Sequence, residues 1–400
     1  MDQKFDVLIV GAGIVGLATA YQMLKKNPKS KIAILEKENR PCLHQSGRNS
    51  GVLHTGVYYK PGSLKAKNCL VGRRELLEFC ERNRVSYEKV KKVIVATDPK
   101  EYSSLEEIYR RGVSNGIPGI ELICKEKLKE IEPYAAGLRA ILVPECHIVH
   151  FPDVAKELQR EIKEMGGEFF FSEPVLQIRE ESGGCIVVSK NRIFKTLRLI
   201  NCAGLHSDRL AARSLGKSSV SNRIIPFRGE YYELVESRRN LVKGLIYPVP
   251  NPEFPFLGVH LTRMINGHVE AGPNAVLAFA REGYKKSDIG LKDMGDLLSF
   301  KGFWNMAAKY WKAGCYEMAR SFSKALFLRD LQRLVPEIRA DDLIPGARGI
   351  RAQVVTKEGK LLDDFAFVQK GRAIHVLNAP SPAASASFSI GRTIAEMAEI

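Results

Sequence analysis

Four hundred residues exceed what one compact core usually holds, so two closely joined domains are expected. With 45% hydrophobic and 26% charged residues the chain has the composition of a globular enzyme, and no apolar run is long enough for a membrane-spanning helix. Sixty-one Lys and Arg against 45 Asp and Glu leave a charge of +16, which attracts phosphates, anionic lipids, nucleic acid or acidic metabolites without choosing between them.

The first elements form a βαβ half-unit. Phe5–Val10 reads as a strand, Gly11–Gly16 as a turn, Leu17–Lys26 as a helix and Lys31–Leu35 as a second strand. The opening run lacks a basic flank and ends in glycine, so it is expected to be a strand and not a signal peptide. In Gly11-Ala12-Gly13-Ile14-Val15-Gly16 the first glycine permits the tight turn. Gly13 lets the backbone approach a pyrophosphate, and Gly16 lets the helix pack close to the strand. The helix N-terminus then offers N–H groups and a positive dipole to phosphates. Glu36, with Lys37 beside it, ends the second strand, where a carboxylate accepts ribose hydroxyls and repels a 2′-phosphate. This is a dinucleotide site that does not separate NAD from FAD.

Three later segments favour FAD. Pro41–Ser63 is a long loop in which Gln45, Ser46, Asn49, Ser50 and Gly51 are small or polar and can lie against a flavin ring. Asn201-Cys202-Ala203-Gly204 follows an apolar strand, and Ala203 and Gly204 let the backbone pass over a dinucleotide. Near the end, Ser381 is a good N-cap and Pro382 a good first helical residue, so a helix N-terminus beginning Pro382-Ala383 is expected to face the flavin N1–C2=O edge.

Between these segments Leu64–Arg84 reads as a helix, Val90–Ala96 as a strand and Glu101–Glu132 as mostly helical. Cys146, His147 and His150 have the spacing of a partial zinc set, but no second cluster completes four ligands and no metal is expected. Val154–Met165 is a helix. Strands follow near Glu168–Phe171 and at Val175–Arg179, with Val175 expected beside the cofactor. Cys185–Ser189 and Lys195–Asn201 flank a hairpin, and Ile224–Val235 and Leu257–Ala271 are strands of a second sheet. Asp293–Leu334 is helical. There Phe300, Trp304, Ala308 and Trp311 share a helical face flanked by Lys301, Lys309, Lys312, Arg320 and Lys324. Such a stripe suits an anionic membrane surface, the alternative being that both Trp pack into the second domain. The chain closes with a strand at Ile374–Leu377 and a helix over Pro382–Ile400. The eight cysteines include no Cys-x-x-Cys pair and read as reduced thiols, which fits a cytoplasmic location.

Read together, these segments resemble the L-2-hydroxyglutarate oxidases and dehydrogenases, within the D-amino-acid-oxidase-like flavoprotein superfamily. The matching stretches are His44–Ala66, Ile225–Tyr231, Tyr247–Thr262, Gly272–Tyr284, Gly349–Gln353 and Asn378–Ala384, spread in order along the chain. Arg48 stands where that family often has His, and His147 and His150 replace a Gly and an Asp. The resemblance implies an α/β architecture with a Rossmann-type FAD domain built from 1–84, 150–222 and 335–400. A second domain of mixed β-sheet plus helices comes from 85–149 and 223–334. It also implies oxidation of (S)-2-hydroxyglutarate to 2-oxoglutarate, with electrons leaving for a quinone or oxygen.

That chemistry needs a base for the hydroxyl proton and cations for two carboxylates. His54, in the flavin loop, and His260, in the second sheet, are the candidate bases. Arg351, expected on a strand of the FAD domain, and Arg228 are the candidate clamps, because a guanidinium binds carboxylate bidentately. Tyr58 and Tyr59 are candidate hydroxyl donors. A competing reading within the superfamily is oxidation of another 2-hydroxy acid such as malate, of glycerol 3-phosphate or of an amino acid. A basic flavoprotein bound to nucleic acid is a reading of another class. The basic residues are spread along the chain with no RNA-binding motif, so no nucleic-acid partner is expected.

Overall fold

The computed structural model describes residues 3–216, 220–250 and 257–398. Positions 251–256 of the Tyr247–Thr262 stretch and 399–400 of the expected last helix lie outside the described residues.

The chain begins as its glycine pattern requires, with β1 (Gln3–Val10), α1 (Ile14–Lys26) and β2 (Ile32–Leu35). The long loop holds a short strand, β3 (Val52–Leu53), and leads to α2 (Leu64–Asn83), whose first turn is capped by the Ser63 hydroxyl. Next come β4 (Tyr87–Ala96), α3 (Tyr102–Ser114), β5 (Glu121–Cys124), α4 (Lys125–Ile131) and β6 (Arg139–Val149). The stretch expected to be mostly helical is thus two helices split by a strand that pairs with β6. The chain returns through α5 (Phe151–Glu164), β7 (Glu168–Phe170), β8 (Val175–Glu181), β9 (Gly184–Ser189), β10 (Ile193–Asn201) and α6 (Ser207–Leu215). β11 (Arg223–Leu234), β12 (Leu245–Pro248), β13 (His260–Arg263), β14 (Val269–Gly272) and β15 (Val276–Leu277) follow. Helices α7 (Leu291–Leu298), α8 (Lys301–Phe322) and α9 (Lys324–Gln332) precede β16 (Leu343–Val355), β17 (Ala366–Lys370), β18 (Ala373–Asn378) and α10 (Ser387–Met397).

Two sheets result. The first runs β17-β18-β10-β1-β2-β7, parallel from β18 to β7, with the β8–β9 hairpin off β10. Its central strands are near-continuous apolar runs because both faces are covered. Val7, Leu8 and Ile9 are all fully buried, with α1, α5 and α10 packed over one face. The second is mixed and runs β15-β11-β14-β13-β12-β4-β6-β3, with β16 beside β11 and β5 beside β6.

Two expectations are corrected here. Residues 343–355 do not join the first sheet. β16 pairs antiparallel with β11 from Arg223↔Val355 to Leu234↔Leu343, so Arg351 belongs to the second sheet. A strand as long as β11 would otherwise present a row of unpaired backbone groups. The last helix starts at Ser387 and not at Pro382. Residues 381–386 form turns in which the Ala383 N–H is given to the Pro380 carbonyl and the Ala386 N–H to the Pro382 carbonyl. Ser381 therefore caps no helix.

The aromatic stripe is also rearranged. Phe300 packs with Phe303 and Met306 against Ile225 and Val355, so it leaves the face it was expected to share with the tryptophans. Arg320 is buried between Glu317 and Asp330. Trp304 and Trp311 remain 55% and 58% exposed, so neither packs into the core.

Candidate active site

A cavity of about 1310 Å³ opens between the two sheets, reaching from the C-terminal ends of β1 and β2 to the inner face of the second sheet. Its nucleotide end is made of backbone. Gly11 has φ 107°, and a Cβ there would stand 2.5 Å from the Cys202 carbonyl oxygen. A Cβ on Gly16 would stand 2.0 Å from the Gly11 carbonyl oxygen. These two glycines let the turn, α1 and the residues after β10 close on one another, while Gly13 faces the cavity. The Glu36 carboxylate accepts from the N–H groups of Ala12 (2.8 Å) and Glu38 (3.0 Å), so it is fixed in the wall. The Ser46 hydroxyl accepts from the Ile14 N–H at 3.0 Å. Val15, Lys37, Gln45, Asn49, Ser50, Val175, Ala203, Gly204, Ser381, Pro382 and Ala383 line the same cavity. Gly16 and Gly51 do not, and Gly51 packs against the Val149 carbonyl.

At the rim, Lys37 Nζ lies 2.8 Å from Glu282 and 2.9 Å from His44 Nε2, and also pairs with Glu38. Glu38, His44 and Glu282 have a metal-like arrangement, but they already hold this ammonium. His206 meets Glu282 at 2.7 Å, and its hydrogen bond is the main reason the Glu282 carboxyl is held down at about 2. Tyr284 meets His44 Nδ1 at 2.6 Å, and Arg48 lies 4.2 Å above the Tyr284 ring. Glu282 and Tyr284 follow β15, so this cluster ties the flavin loop to the second domain.

The far end of the cavity gathers His54, Tyr58, Tyr59, His260 and Arg351. The His54 N–H donates to the Ser385 hydroxyl at 3.0 Å and its carbonyl accepts from the Cys69 thiol at 3.0 Å, which pins the backbone. Burial, then the charges of Lys92, His260, Lys65 and Arg351, push the His54 imidazole down to about 3. Burial likewise brings His260 to about 4. Its Nδ1 is 2.9 Å from the Gly258 carbonyl, which can only accept, so Nε2 of the neutral ring carries the lone pair. Burial holds Arg351 below its ordinary pKa. The Tyr59 hydroxyl bonds to Ser381, whereas the Tyr58 hydroxyl is buried with no partner among the described residues.

Arg228 does not line the cavity. Its Nε donates to Glu230 at 2.9 Å and its Nη1 to the carbonyls of Gly283 (3.3 Å) and Lys285 (3.2 Å). The pairing explains why: Phe227 stands opposite Arg351, and Arg228 opposite Ile350. Adjacent pairs in a sheet point to opposite faces, so one arginine faces the cavity and the other an ion pair. The three residues with zinc-like spacing also diverge. Cys146 is in the core, the His147 ring lies tilted beside Tyr87, and His150 pairs with Asp153 at 3.0 Å.

Among the cavity or near-cavity residues that were not singled out from sequence, four differ in how visible they were. Gln353 shares the face of Arg351 by strand periodicity, a signal that was present. Lys65 reaches Asp363 at 2.6 Å from the first turn of α2. Tyr231 lies two residues beyond Gly229 on the cavity face of β11. Lys92 carried no signal, being the second of two lysines in an apolar strand.

The model of the family described as FAD dependent oxidoreductase matches residues 6–397. L-2-hydroxyglutarate dehydrogenase of Indibacter alkaliphilus is 50% identical over 394 residues, 98% of each chain. The mitochondrial L-2-hydroxyglutarate dehydrogenase of Nematostella vectensis is 43% identical, over 99% of this chain and 91% of that one. L-2-hydroxyglutarate dehydrogenase of Escherichia coli K12 is 42% identical, over 98% and 92%. Among solved structures, dithionite-reduced L-alpha-glycerophosphate oxidase from Mycoplasma pneumoniae with FAD bound superposes with a TM-score of 0.80 at 21% identity, over 100% of this chain and 95% of that one. Glycine oxidase from Geobacillus kaustophilus gives 0.74 at 19%, over 99% and 95%. At those identities the two structures speak for the fold alone.

Proposed function

The chain belongs to the FAD dependent oxidoreductases, within them to the L-2-hydroxyglutarate dehydrogenase family, and from that premise we propose that it oxidises (S)-2-hydroxyglutarate to 2-oxoglutarate. It is an FAD-dependent enzyme. The nucleotide end fits that cofactor, with a side-chain-free approach at Gly13, a fixed Glu36 carboxylate for ribose hydroxyls and the N-terminus of α1 for the pyrophosphate. When bound, FAD would supply the two-electron acceptor for the C2 hydride, with a quinone or oxygen as the final acceptor.

The observation that carries the reading is that Arg351 and two neutral imidazoles face one cavity shared with the nucleotide turn. His54 takes the hydroxyl proton, with His260 Nε2 as the second acceptor in reach of the same space. Burial, and after it the surrounding cations, keep His54 unprotonated before substrate arrives. Two carboxylates bound among those cations offset them, which raises proton affinity at the moment a proton must be accepted. Arg351 holds a carboxylate, Gln353 lies beside it on the same face, and the Tyr58 hydroxyl, without a partner among the described residues, donates a hydrogen bond to the substrate. Anaerobic flavin bleaching tests the assignment. (S)-2-Hydroxyglutarate is expected to bleach faster than its (R) isomer, lactate, malate or glycerol 3-phosphate, and faster bleaching by any of these overturns it.

The second part of the reading concerns the acceptor. No helix among the described residues is long and apolar enough to cross a membrane. Trp304, Trp311 and Phe322 of α8 are exposed, with Ile289, Leu291 and Leu298 exposed just before it. Lys301, Lys309 and Lys312 are exposed among them. Aromatic and aliphatic side chains beside lysines are the composition of a surface that rests on anionic lipid. Docking there brings the enzyme to a lipid quinone. Flotation with anionic vesicles is expected to be salt-sensitive and lost in Trp304→Ser/Trp311→Ser with the fold intact. Absence of binding at low salt points instead to oxygen or a soluble carrier.

A further inference from the structure

β4 carries two consecutive lysines with opposite fates, for Lys91 is exposed and Lys92 is 2% exposed. The register of β4 against β6 shifts between Val90 and Lys92, and an irregularity of that kind re-aims a side chain. Lys92 Nζ lies 3.8 Å from the centre of the Tyr247 ring and 4.6 Å from that of Tyr58. Both tyrosines line the substrate end of the cavity, and Lys92 sits behind them. Cys146 of β6 and Cys69 of α2 face it, and His54 and His260 feel its charge. Among the described residues no carboxylate pairs with it. Aromatic faces attract a cation but do not neutralise it, and a buried charge without a counter-charge is costly. Packing alone would be served better by a methionine.

We propose that Lys92 is a positioning residue for the oxidation, its ammonium serving as the fixed counter-charge that seats a dicarboxylate substrate while acting through the Tyr58 and Tyr247 rings. This rests on the dicarboxylate reading given above. The same ammonium disfavours a second positive charge nearby, which helps keep His54 and His260 unprotonated and able to accept a proton. Burial brings Lys92 itself down to about 8, so its charge is lost at mildly alkaline pH. Between that value and the ordinary 10.5 the unfolded chain holds a proton that the folded chain has released. The penalty of the buried charge is therefore full below about 8 and is relieved as pH rises, so stability increases with pH across this window.

The test uses FAD-loaded wild type, Lys92→Met and Lys92→Arg, with glutarate as a non-reacting dicarboxylate probe. Calorimetric affinity and thermal midpoint are followed from neutral to alkaline pH. In wild type, glutarate binding weakens as pH passes about 8. Lys92→Met is expected to bind roughly tenfold more weakly at neutral pH, about 1.4 kcal/mol, and to lose the pH step. Its thermal midpoint should equal or exceed that of wild type at neutral pH and lack the rise with pH. Lys92→Arg should keep neutral-pH binding and move the step out of range. A Lys92→Met protein that binds like wild type, or loses thermal stability in place of binding, assigns Lys92 to packing and overturns the proposal. If Lys92→Met does not fold, a step remaining near 8 in Lys92→Arg overturns it. A wild type neither bleached by (S)-2-hydroxyglutarate nor binding glutarate sinks the substrate reading and this proposal together. Normal bleaching with an unaltered Lys92→Met sinks this proposal alone.

Discussion

The two ends of the cavity are held by different kinds of interaction. At the nucleotide end the charges are satisfied: Glu36 is bound by two backbone N–H groups, and Lys37 sits among Glu38, His44 and Glu282. At the substrate end, among the described residues, Lys92 is buried without a carboxylate and the Tyr58 hydroxyl has no partner, and burial drives two imidazoles to the neutral form. The first end is complete as a piece of protein, and binding there depends on shape and on backbone dipoles. The second holds a buried ammonium with no carboxylate beside it among the described residues, which suits a ligand that brings negative charge. Strain of this electrostatic kind is where stability is given up for function.

Five substitutions sharpen or break that contrast. Gly13→Asp places a carboxylate where the backbone must approach a pyrophosphate, and the purified protein is expected to lack the flavin absorbance altogether. Normal FAD content would show that the turn does not hold the phosphates. His54→Ala, at the other end, should leave FAD content unchanged and slow flavin reduction at saturating substrate by about 10²–10⁴-fold, the usual worth of a general base. If His260→Ala shows that loss while His54→Ala turns over normally, the base is His260. Smallest in its effect on the reaction is the arginine pair. Arg351→Met should raise the substrate dissociation constant roughly 10–100-fold, the scale of one charge-assisted hydrogen bond. Arg228→Met should leave that constant nearly unchanged and cost about 1.5–3 kcal/mol of stability, read by denaturant unfolding, because the buried Glu230 loses its guanidinium partner while keeping the hydrogen bonds from Ser321 and Asn274. Weaker substrate binding in Arg228→Met than in Arg351→Met would reverse their roles.

The contrast also explains what was legible in the amino-acid order. The nucleotide end is local: a strand, a glycine turn, a helix and an acidic strand end lie within the first 36 residues. Each step has a spacing rule, and the structure keeps all of them. The substrate end draws His54, His260 and Arg351 from separate strands and loops, and it was read through family likeness and not through spacing. Arg228 and Arg351 were equivalent as residue types. Only the pairing of β11 with β16 decides which faces the cavity, and no local pattern fixes that register. Lys92 was invisible for the same reason, since a register shift in β4 turns it inward. The misplaced start of α10 has another origin, because Ser-Pro is a good helix entry that the turns at 381–386 use otherwise.

The first sheet has a consequence for how the protein is made. Its strands come from 3–35, 168–201 and 366–378, and α10 covers the same face of it as α1. The Gln22 amide bonds the Phe388 carbonyl across 366 positions, and α10 crosses α1 so closely that a Cβ on Gly391 would stand 2.6 Å from the Ala18 backbone. During synthesis the glycine turn therefore emerges hundreds of residues before α10 and waits, with one flank of its sheet unbuilt and the top of α1 bare, until residues 366–397 are made. Closing so long a loop is entropically slow, and exposed apolar surface invites aggregation in the interval. The wall of the cavity is finished only when residues 376–385 have been made, so chains broken off before them carry the most recognisable motif of the protein inside an incomplete site.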